Sequence, residues 1–542
     1  MFVQATKSKR GNITYVSYLV REAFRTPAGP RSRTVCNITA LPPEARDALA
    51  AALAGTPCVP LEGLSLSSAL NYGGLAVLRD AWARFGLNHV LAALPDPRQR
   101  ALLQAMIFGR ILSPCSKRAL ADAAHGTLLA AACGLDQATE AFDEDDLYDA
   151  MDALNGRWVP LEQALYGAAF PAAVSLVLYD LTSVYFEGKG PAGFSEYGYR
   201  RDHWPDRPQV LLAVATDAHG VPIHVEVLRG NRADTETLRG LLHTLRRRLG
   251  IREAVFVFDG GMSSRLNLEA LRAEELPFVT RLSAASLPAV LAALPQDAQP
   301  LLWDRTSLVE VTLEGKRYVI AGGEERRHRD RARRQARLQK AEAELTRLAA
   351  VRRNKVDPQQ LASQAGRALQ RLQAHQYFDY RVDEQGRLCW QPKQALLDAE
   401  QSRDGLYLLH TGLTPAQGSP GQVLGHYKNL MAVEEAFCHL KTYLEVRPVC
   451  HFRPDRVRNH VRLCFLAYWL CARLGQEWRA KGQTVDVPRL LRRLQAIRVG
   501  TVTLAGKAVR RLLTQIPAEL NAVLEPLGLL ALFAQPPRWA QP

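Results

Sequence analysis

The spacing of apolar residues changes several times along the chain, and each change marks a different kind of element. Residues 1 to about 40 carry two β-rich stretches, TYVSYLVREAF and SRTVCNIT, separated by turn-prone TPAGP; this predicts a β-hairpin unit. Pro42-Pro43 breaks the chain before a short helix, and a Gly/Pro/Ser-rich linker runs to about residue 70. From Leu75 to Tyr166 the apolar residues recur every three to four positions, as in LAVLRDAWARFGL, RQRALLQAMIFGRIL and DLYDAMDALNGRW, which predicts a helical bundle.

At Ala173 the texture becomes that of a sheet. AAVSLVLYDLTSVYFEG is a nearly continuous apolar run, the pattern of a central strand buried on both faces, and Asp180 stands inside it. A carboxylate there is costly to bury unless it is paired, hydrogen-bonded or metal-bound. VLLAVATD and VPIHVEVLRG predict two more strands, and DTETLRGLLHTLRRRLG a helix with Asp234 as N-cap and arginines toward its C-terminus. EAVFVFDGG then places Asp259 where a strand meets a glycine turn, before another helix (LNLEALRAEEL) and strand (PFVTRLS). The order outlines a mixed sheet with helices packed on it, and strand ends of such sheets collect ligands and catalytic groups.

Residues from about 284 to 420 interrupt this pattern with further strands (SLVEVTLEGKRYVIAGG, RDGLYLLHTGL) and a charged helical hairpin. Residues 324–355 hold twelve Lys/Arg against five Asp/Glu; Leu338, Ala341, Leu345 and Leu348 form a helical stripe, and Pro358 opens the second helix. Beyond the interruption, YKNLMAVEEAFCHLK (427–441) spaces Leu430, Val433, Phe437 and Leu440 as an amphipathic helix. Tyr427, Glu434 and Lys441 make a second row, seven residues apart, along the border of that stripe. Glu434 is therefore placed toward a cleft, and Glu435 toward solvent. DRVRNHVRLCFLAYWLCARL reads as a second, nearly all-round apolar helix. The remaining residues read as a basic tail of short helices.

Composition sharpens this picture. Lys+Arg 69 against Asp+Glu 54 leaves a net charge of +15, which favours a polyanionic partner, most simply nucleic acid. Nine scattered cysteines without a C-x-x-C pair argue against a disulfide framework or zinc knuckle and fit a reducing cytosol. The sequence shows no signal pattern, and its longest apolar run, LCFLAYWLC, is half what a membrane span needs. Three carboxylates, Asp180, Asp259 and Glu434, could together hold hard divalent cations such as Mg²⁺ or Mn²⁺, which favour oxygen ligands.

YDLTS around Asp180, FDGGMSSRLN around Asp259, and Tyr427-x2-Leu430-x3-Glu434-x6-Lys441 resemble bacterial insertion-sequence DDE transposases. The specific resemblance is to the Y-x2-R-x3-E-x6-K group of the IS-four-type superfamily. Y-x-Y-R-R-D-H-W-P-D-R-P-Q (197–209) and RPVCH (447–451) resemble the same family, although Leu430 stands where the motif has arginine. The resemblance implies an α/β RNase H-like catalytic core, a mixed sheet flanked by helices, interrupted by a β-containing insertion with the charged hairpin. It implies a metal-dependent transposase that cleaves double-stranded DNA at terminal inverted repeats and transfers the freed 3′-OH into target DNA. Asp180, Asp259 and Glu434 would be catalytic residues and ligands of two divalent cations, Mg²⁺ or Mn²⁺. Tyr427 and Lys441 would bind DNA phosphate. A homodimer would pair the two ends, in the bacterial cytoplasm on the nucleoid and with no membrane involved.

The expected organisation is a β-hairpin unit and linker start (1–60), a helical domain (61–168) that suits either DNA-end binding or packing alone, the catalytic core in two parts (169–285 and 421–475), an insertion domain (286–420) and a helical C-terminus (476–542). The same three acids also suit an RNase H-like nuclease that cuts without strand transfer. A non-catalytic DNA-binding descendant of a transposase would share the charge but not need the acids. A two-carboxylate hydrolase explains neither the charge nor the Tyr/Lys row.

Overall fold

The structure is a computed structural model that describes residues 1–11, 13–27, 29–56, 64–135, 141–197, 207–232, 237–294, 308–350, 357–504, 507–536 and 538–540. The strands begin with β1 (Phe2–Arg10), β2 (Ile13–Thr26), β3 (Gly29–Asn37), β4 (Leu64–Asn71), β5 (Leu176–Tyr185) and β6 (Gln209–Thr216). Next come β7 (Pro222–Arg229), β8 (Val255–Phe258), β9 (Phe278–Arg281), β10 (Leu308–Leu313) and β11 (Lys316–Gly322). The last are β12 (Phe378–Val382), β13 (Leu388–Pro392), β14 (Leu406–Thr411), β15 (Arg498–Leu504) and β16 (Lys507–Leu513). The cap expected at Asp234 and residues 198–206 of the Y-x-Y-R-R stretch lie outside the described residues. The chain divides into two compact units, residues 1–70 with 498–515, and residues 71–497 with 516–542.

In the first unit the predicted hairpin is β2–β3, closing at Thr26↔Gly29, and β1 pairs along the other edge of β2. A second three-stranded sheet runs β16-β15-β4, with the hydroxyls of Ser65 and Thr503 2.8 Å apart. The C-terminus is thus not wholly helical. Val499, Thr501, Val502 and Thr503 make β15 a β-branched run, which suits a pleated surface better than a helix.

The second unit is a mixed α/β structure built on one eight-stranded sheet, ordered β10-β11-β14-β9-β8-β5-β6-β7. Only β5, β8 and β9 run parallel to their neighbours in that set; the other pairings are antiparallel. The parallel strands need crossovers, supplied by the helices Thr237–Arg247 and Arg265–Ala273. Those helices bury Leu238, Leu241, Leu245 and Leu271 on one sheet face, against Tyr179, Phe256, Phe258 and Phe278. Each such buried side chain contributes about 1.5–3 kcal/mol relative to exposure. Strands β10, β11 and β14 extend the same sheet, although more than a hundred residues separate β9 from β14 along the chain.

The helix Glu324–Ala349 and the helix Pro358–Arg371 form the expected hairpin. Ala341, Leu345 and Leu348 of the first pack with Leu361, Ala365 and Leu369 of the second, above β12–β13. The helix Pro454–Ala480 is buried along most of its length, as its all-round apolar sequence requires. All eight cysteines among the described residues are free thiols.

Candidate active site

Strand register brings the two aspartates together. Tyr179 of β5 pairs with Phe258 of β8, and Phe258 pairs with Thr280 of β9. One residue farther along each parallel strand stand Asp180, Asp259 and Arg281, side by side in one row. Side chains alternate faces along a strand, and Tyr179 and Phe258 belong to the core under the crossover helices. The row of Asp180, Asp259 and Arg281 therefore faces the opposite side of the sheet. Asp180 Oδ1 accepts a hydrogen bond from the Leu181 N–H at 2.7 Å, and its side chain is half-buried. Asp259 is about as open, with its side chain 45% exposed, and Arg281 Nη2 lies 3.7 Å from its Oδ1.

The sequence motifs do not single out Arg281. Its signal in the sequence is its place in PFVTRLS, at the end of a short apolar strand just as Asp259 ends EAVFVFDGG. Nothing local indicates that the two strand ends are neighbours.

The segment read as one helix from Tyr427 to Lys441 is two helices and a wide turn. The first helix, Pro420–Lys428, starts at a Ser419/Gln422 capping box and ends at Asn429. Across the joint, Leu430, Ala432 and Val433 donate their N–H groups to the carbonyls of Tyr427, Asn429 and Leu430, three residues back. These tight, 3₁₀-like steps shift the phase between Tyr427 and Glu434, so the seven-residue row is not continuous. The second helix, Met431–Cys438, lies against β5 and β6 and buries Val433, Ala436 and Phe437. Residues His439–Tyr443 then form a π turn, with Leu444 N–H bonded to the His439 carbonyl at 3.0 Å. Glu434 and Glu435 are both exposed, so exposure does not separate them as the stripe predicts. Lys441 is half-buried on the π turn, a feature that recurs at functional sites.

Tyr427 is close enough to the aspartate row for Asp259 and Arg281 to act on it. Burial pushes its hydroxyl up to about 12; Arg281 opposes this and Asp259 adds to it, so both charges act on the ring. Its ring is 6.2 Å from that of Tyr407, over which the Arg326 guanidinium sits at 5.3 Å. Leu430, at the motif's arginine position, is 6% exposed and belongs to the core stripe. The cations nearest Tyr427 in this respect are Arg281 and Arg326, one from a strand end and one from the charged hairpin.

His451 and His460 contact each other. His460 Nε2 is 3.1 Å from the Val446 carbonyl oxygen, and the two imidazoles lie 5.2 Å apart, tilted by 58°. Lys117 Nζ approaches His451 Nε2 at 3.4 Å. Burial, then Lys117, holds His451 down at about 3 and His460 well below its usual range, so both rings are neutral.

A profile of the transposase DDE domain matches residues 174–470, more than half of the chain. The chain belongs to the DDE transposase family. The matched span contains the aspartate row, the charged hairpin and both helices around Asn429. Among curated proteins none matches. A solved structure similar to this transposase is a cryo-EM structure of a piggyBac transposase synaptic complex with hairpin DNA. It shares 9% identity, covers 74% of this chain and 70% of that chain, and has a TM-score of 0.37.

DDE transposases are nucleotidyl-transfer enzymes that generally use divalent metal ions. In this transposase Asp180 and Asp259 present two half-buried carboxylates on one sheet face, the donor type a hard cation requires. Among the described residues no three His, Cys, Asp or Glu side chains converge closely enough to hold a metal ion. Parallel register places the two aspartates on adjacent strands, and Glu434 stands on the helix that lies against β5 and β6. Among the described residues no helix is long and apolar enough to cross a membrane.

Proposed function

We propose that the chain is an insertion-sequence transposase of the Y-x2-R-x3-E-x6-K group, with an RNase H-like core formed by residues 169–285 and 421–475. It cleaves double-stranded DNA at terminal inverted repeats and joins the freed 3′ end to target DNA, as a homodimer in the bacterial cytoplasm. The observation that carries the reading is the Asp180–Asp259–Arg281 row across three adjacent parallel strands, with Asp180 inside β5 and the other two at strand ends. Two carboxylates next to a cation suit a phosphodiester bridged through metal ions and neutralised from the side.

Asp180, Asp259 and Glu434 would hold the divalent cations, Mg²⁺ or Mn²⁺. When bound, the cations supply Lewis-acid stabilisation of the attacking and leaving oxygens in an in-line displacement. Tyr427 and Lys441 orient the phosphate of the transferred strand. Arg281 and Arg326 take over the contact that Leu430 cannot make. The helical residues 61–168 bind the element's ends, and residues 286–420 form the insertion.

The test uses purified protein, Mg²⁺ or Mn²⁺, and labelled DNA carrying the ends that flank the gene, with Asp180→Asn, Asp259→Asn and Glu434→Gln alongside. Nicking at the repeat boundary and strand transfer, both lost in all three variants, is the expected result. Binding without cleavage by the wild type would mean a non-catalytic DNA-binding protein. Cleavage without joining would mean a nuclease.

A further inference from the structure

On the free side of the sheet's β7 edge lies an open cleft of about 970 Å³ that the active-site reading does not use. Its walls are β7, the end of the helix Thr237–Arg247, the first turns of the helix Pro454–Ala480, and the loop at Phe194. Five arginines line it (Arg229, Arg232, Arg248, Arg458 and Arg462) against one carboxylate, Glu226.

Two of these arginines are already oriented. The Arg458 guanidinium lies 4.5 Å above the Phe194 ring, and that of Arg462 lies 5.0 Å from the Trp158 ring. Arg458 Nη1 is also 3.0 Å from Asp455 Oδ1, and Arg462 Nη1 donates to Asn459 Oδ1 at 2.9 Å. Packing on the rings holds both guanidinium groups in place and leaves N–H groups available for phosphate oxygens. It also covers the aromatic faces on which a base would stack, so the cleft is built for backbone and not for bases. Arg229, Arg232 and Arg248 are exposed around it.

The cleft also shares a row with the active site. Asp180 pairs with Val214 of β6, and Val214 pairs with Val225 of β7, which lines the cleft. Two strand spacings, about 10 Å, separate these backbones.

We propose that this cleft grips the phosphodiester backbone of duplex DNA beside the segment being cleaved, independently of sequence. The inference rests on the DNA-cleaving reading above. It assigns to the β7 edge a share of the affinity but none of the chemistry.

The test measures binding of a duplex of roughly 30 base pairs of arbitrary sequence, by fluorescence anisotropy without divalent cations, between about 50 and 300 mM salt. Wild type is compared with Arg229→Gln/Arg248→Gln/Arg458→Gln and with Arg239→Gln/Arg247→Gln/Arg252→Gln. The second triple removes the same charge from exposed residues of a different surface. Every phosphate that is no longer neutralised lowers the slope of log K against log salt by about 0.9, so the cleft triple should drop by about 2–3 in slope and the other triple by little. The charge-retaining Arg229→Lys/Arg248→Lys/Arg458→Lys should stay near wild type, which keeps the result readable if the glutamine triple folds poorly.

An unchanged slope in the cleft triple, or equal losses in both triples, overturns the inference and leaves the transposase reading standing. Failure of the wild type to bind duplex at all overturns both. A cleft triple that loses binding to a poly-glutamate peptide while its DNA slope is unchanged would mean an acidic protein partner instead.

Discussion

Removing the Arg281 charge should tighten divalent-cation binding by the folded protein even without DNA. Arg281 Nη2 is 3.7 Å from Asp259 Oδ1, so a cation held by that carboxylate would sit about 6 Å from the guanidinium. A double charge and a single charge at that separation repel by about 1.4 kcal/mol in water, and salt at physiological strength reduces this to about 0.7 kcal/mol. Arg281→Gln should therefore lower the Kd for Mn²⁺ about threefold, since about 1.4 kcal/mol corresponds to tenfold. The ion pair itself is half-exposed and worth at most about 1 kcal/mol, so the melting temperature should barely move. Isothermal titration calorimetry or Mn²⁺ electron paramagnetic resonance on DNA-free protein reads the affinity directly. Arg281→Lys, which keeps the charge, should stay within about twofold of wild type. An unchanged or weaker Mn²⁺ affinity in Arg281→Gln would mean that Asp259 is not a ligand or that Arg281 does not face the cation. In cleavage assays the same variant should lose rate despite binding metal more tightly, because the phosphate loses a neutralising neighbour.

Glu434→Gln should abolish cleavage while Glu435→Gln leaves it near wild type; equal losses in single-turnover assays would end the preference for Glu434. Restoring the motif arginine with Leu430→Arg should destabilise by several kcal/mol rather than improve activity, because the position is 6% exposed and offers a charge no water; chemical denaturation measures this. Leu245→Ala, at a fully buried position under the sheet, should cost about 2–5 kcal/mol in the same experiment. The buried His224–Glu162 pair, 2.9 Å apart, should give a pH-dependent contribution. Burial disfavours the charged imidazole, but Glu162 outweighs it and raises the His224 pKa above its ordinary value. That stability is fully present below about pH 6.5 and is lost as pH rises through the raised folded value. The destabilisation caused by Glu162→Gln should thus be larger at pH 6 than at pH 9, and a loss that grows with pH would contradict it.

Much of the structure can be read residue by residue. The apolar runs of β5, β6 and β7, the charged hairpin with its Leu338–Leu348 stripe, and the buried helix Pro454–Ala480 all follow from local periodicity, because burial on one or both faces is imposed at neighbouring positions. Asp180 stands out for the same reason: a carboxylate in an apolar strand conflicts with its surroundings. The kink at Asn429 is not legible, since the apolar spacing of 427–441 is compatible with one uninterrupted helix. What breaks it is a few i−3 hydrogen bonds that let both halves pack against the sheet.

Strand partnership is the larger gap. The joining of β14 to β9, and of β15 to β4, links segments more than a hundred and more than four hundred residues apart. Periodicity states which face of a strand is buried but not which strand lies beside it. That choice depends on closing long loops around a shared core, a property of the whole chain. The sequence by itself determined that Asp180 and Asp259 would end or interrupt apolar strands and that a glutamate would follow on a helix. Only the tertiary structure decided that parallel register would set those aspartates beside Arg281, and that Leu430 would be sealed into the core while arginines from distant segments came to stand near Tyr427.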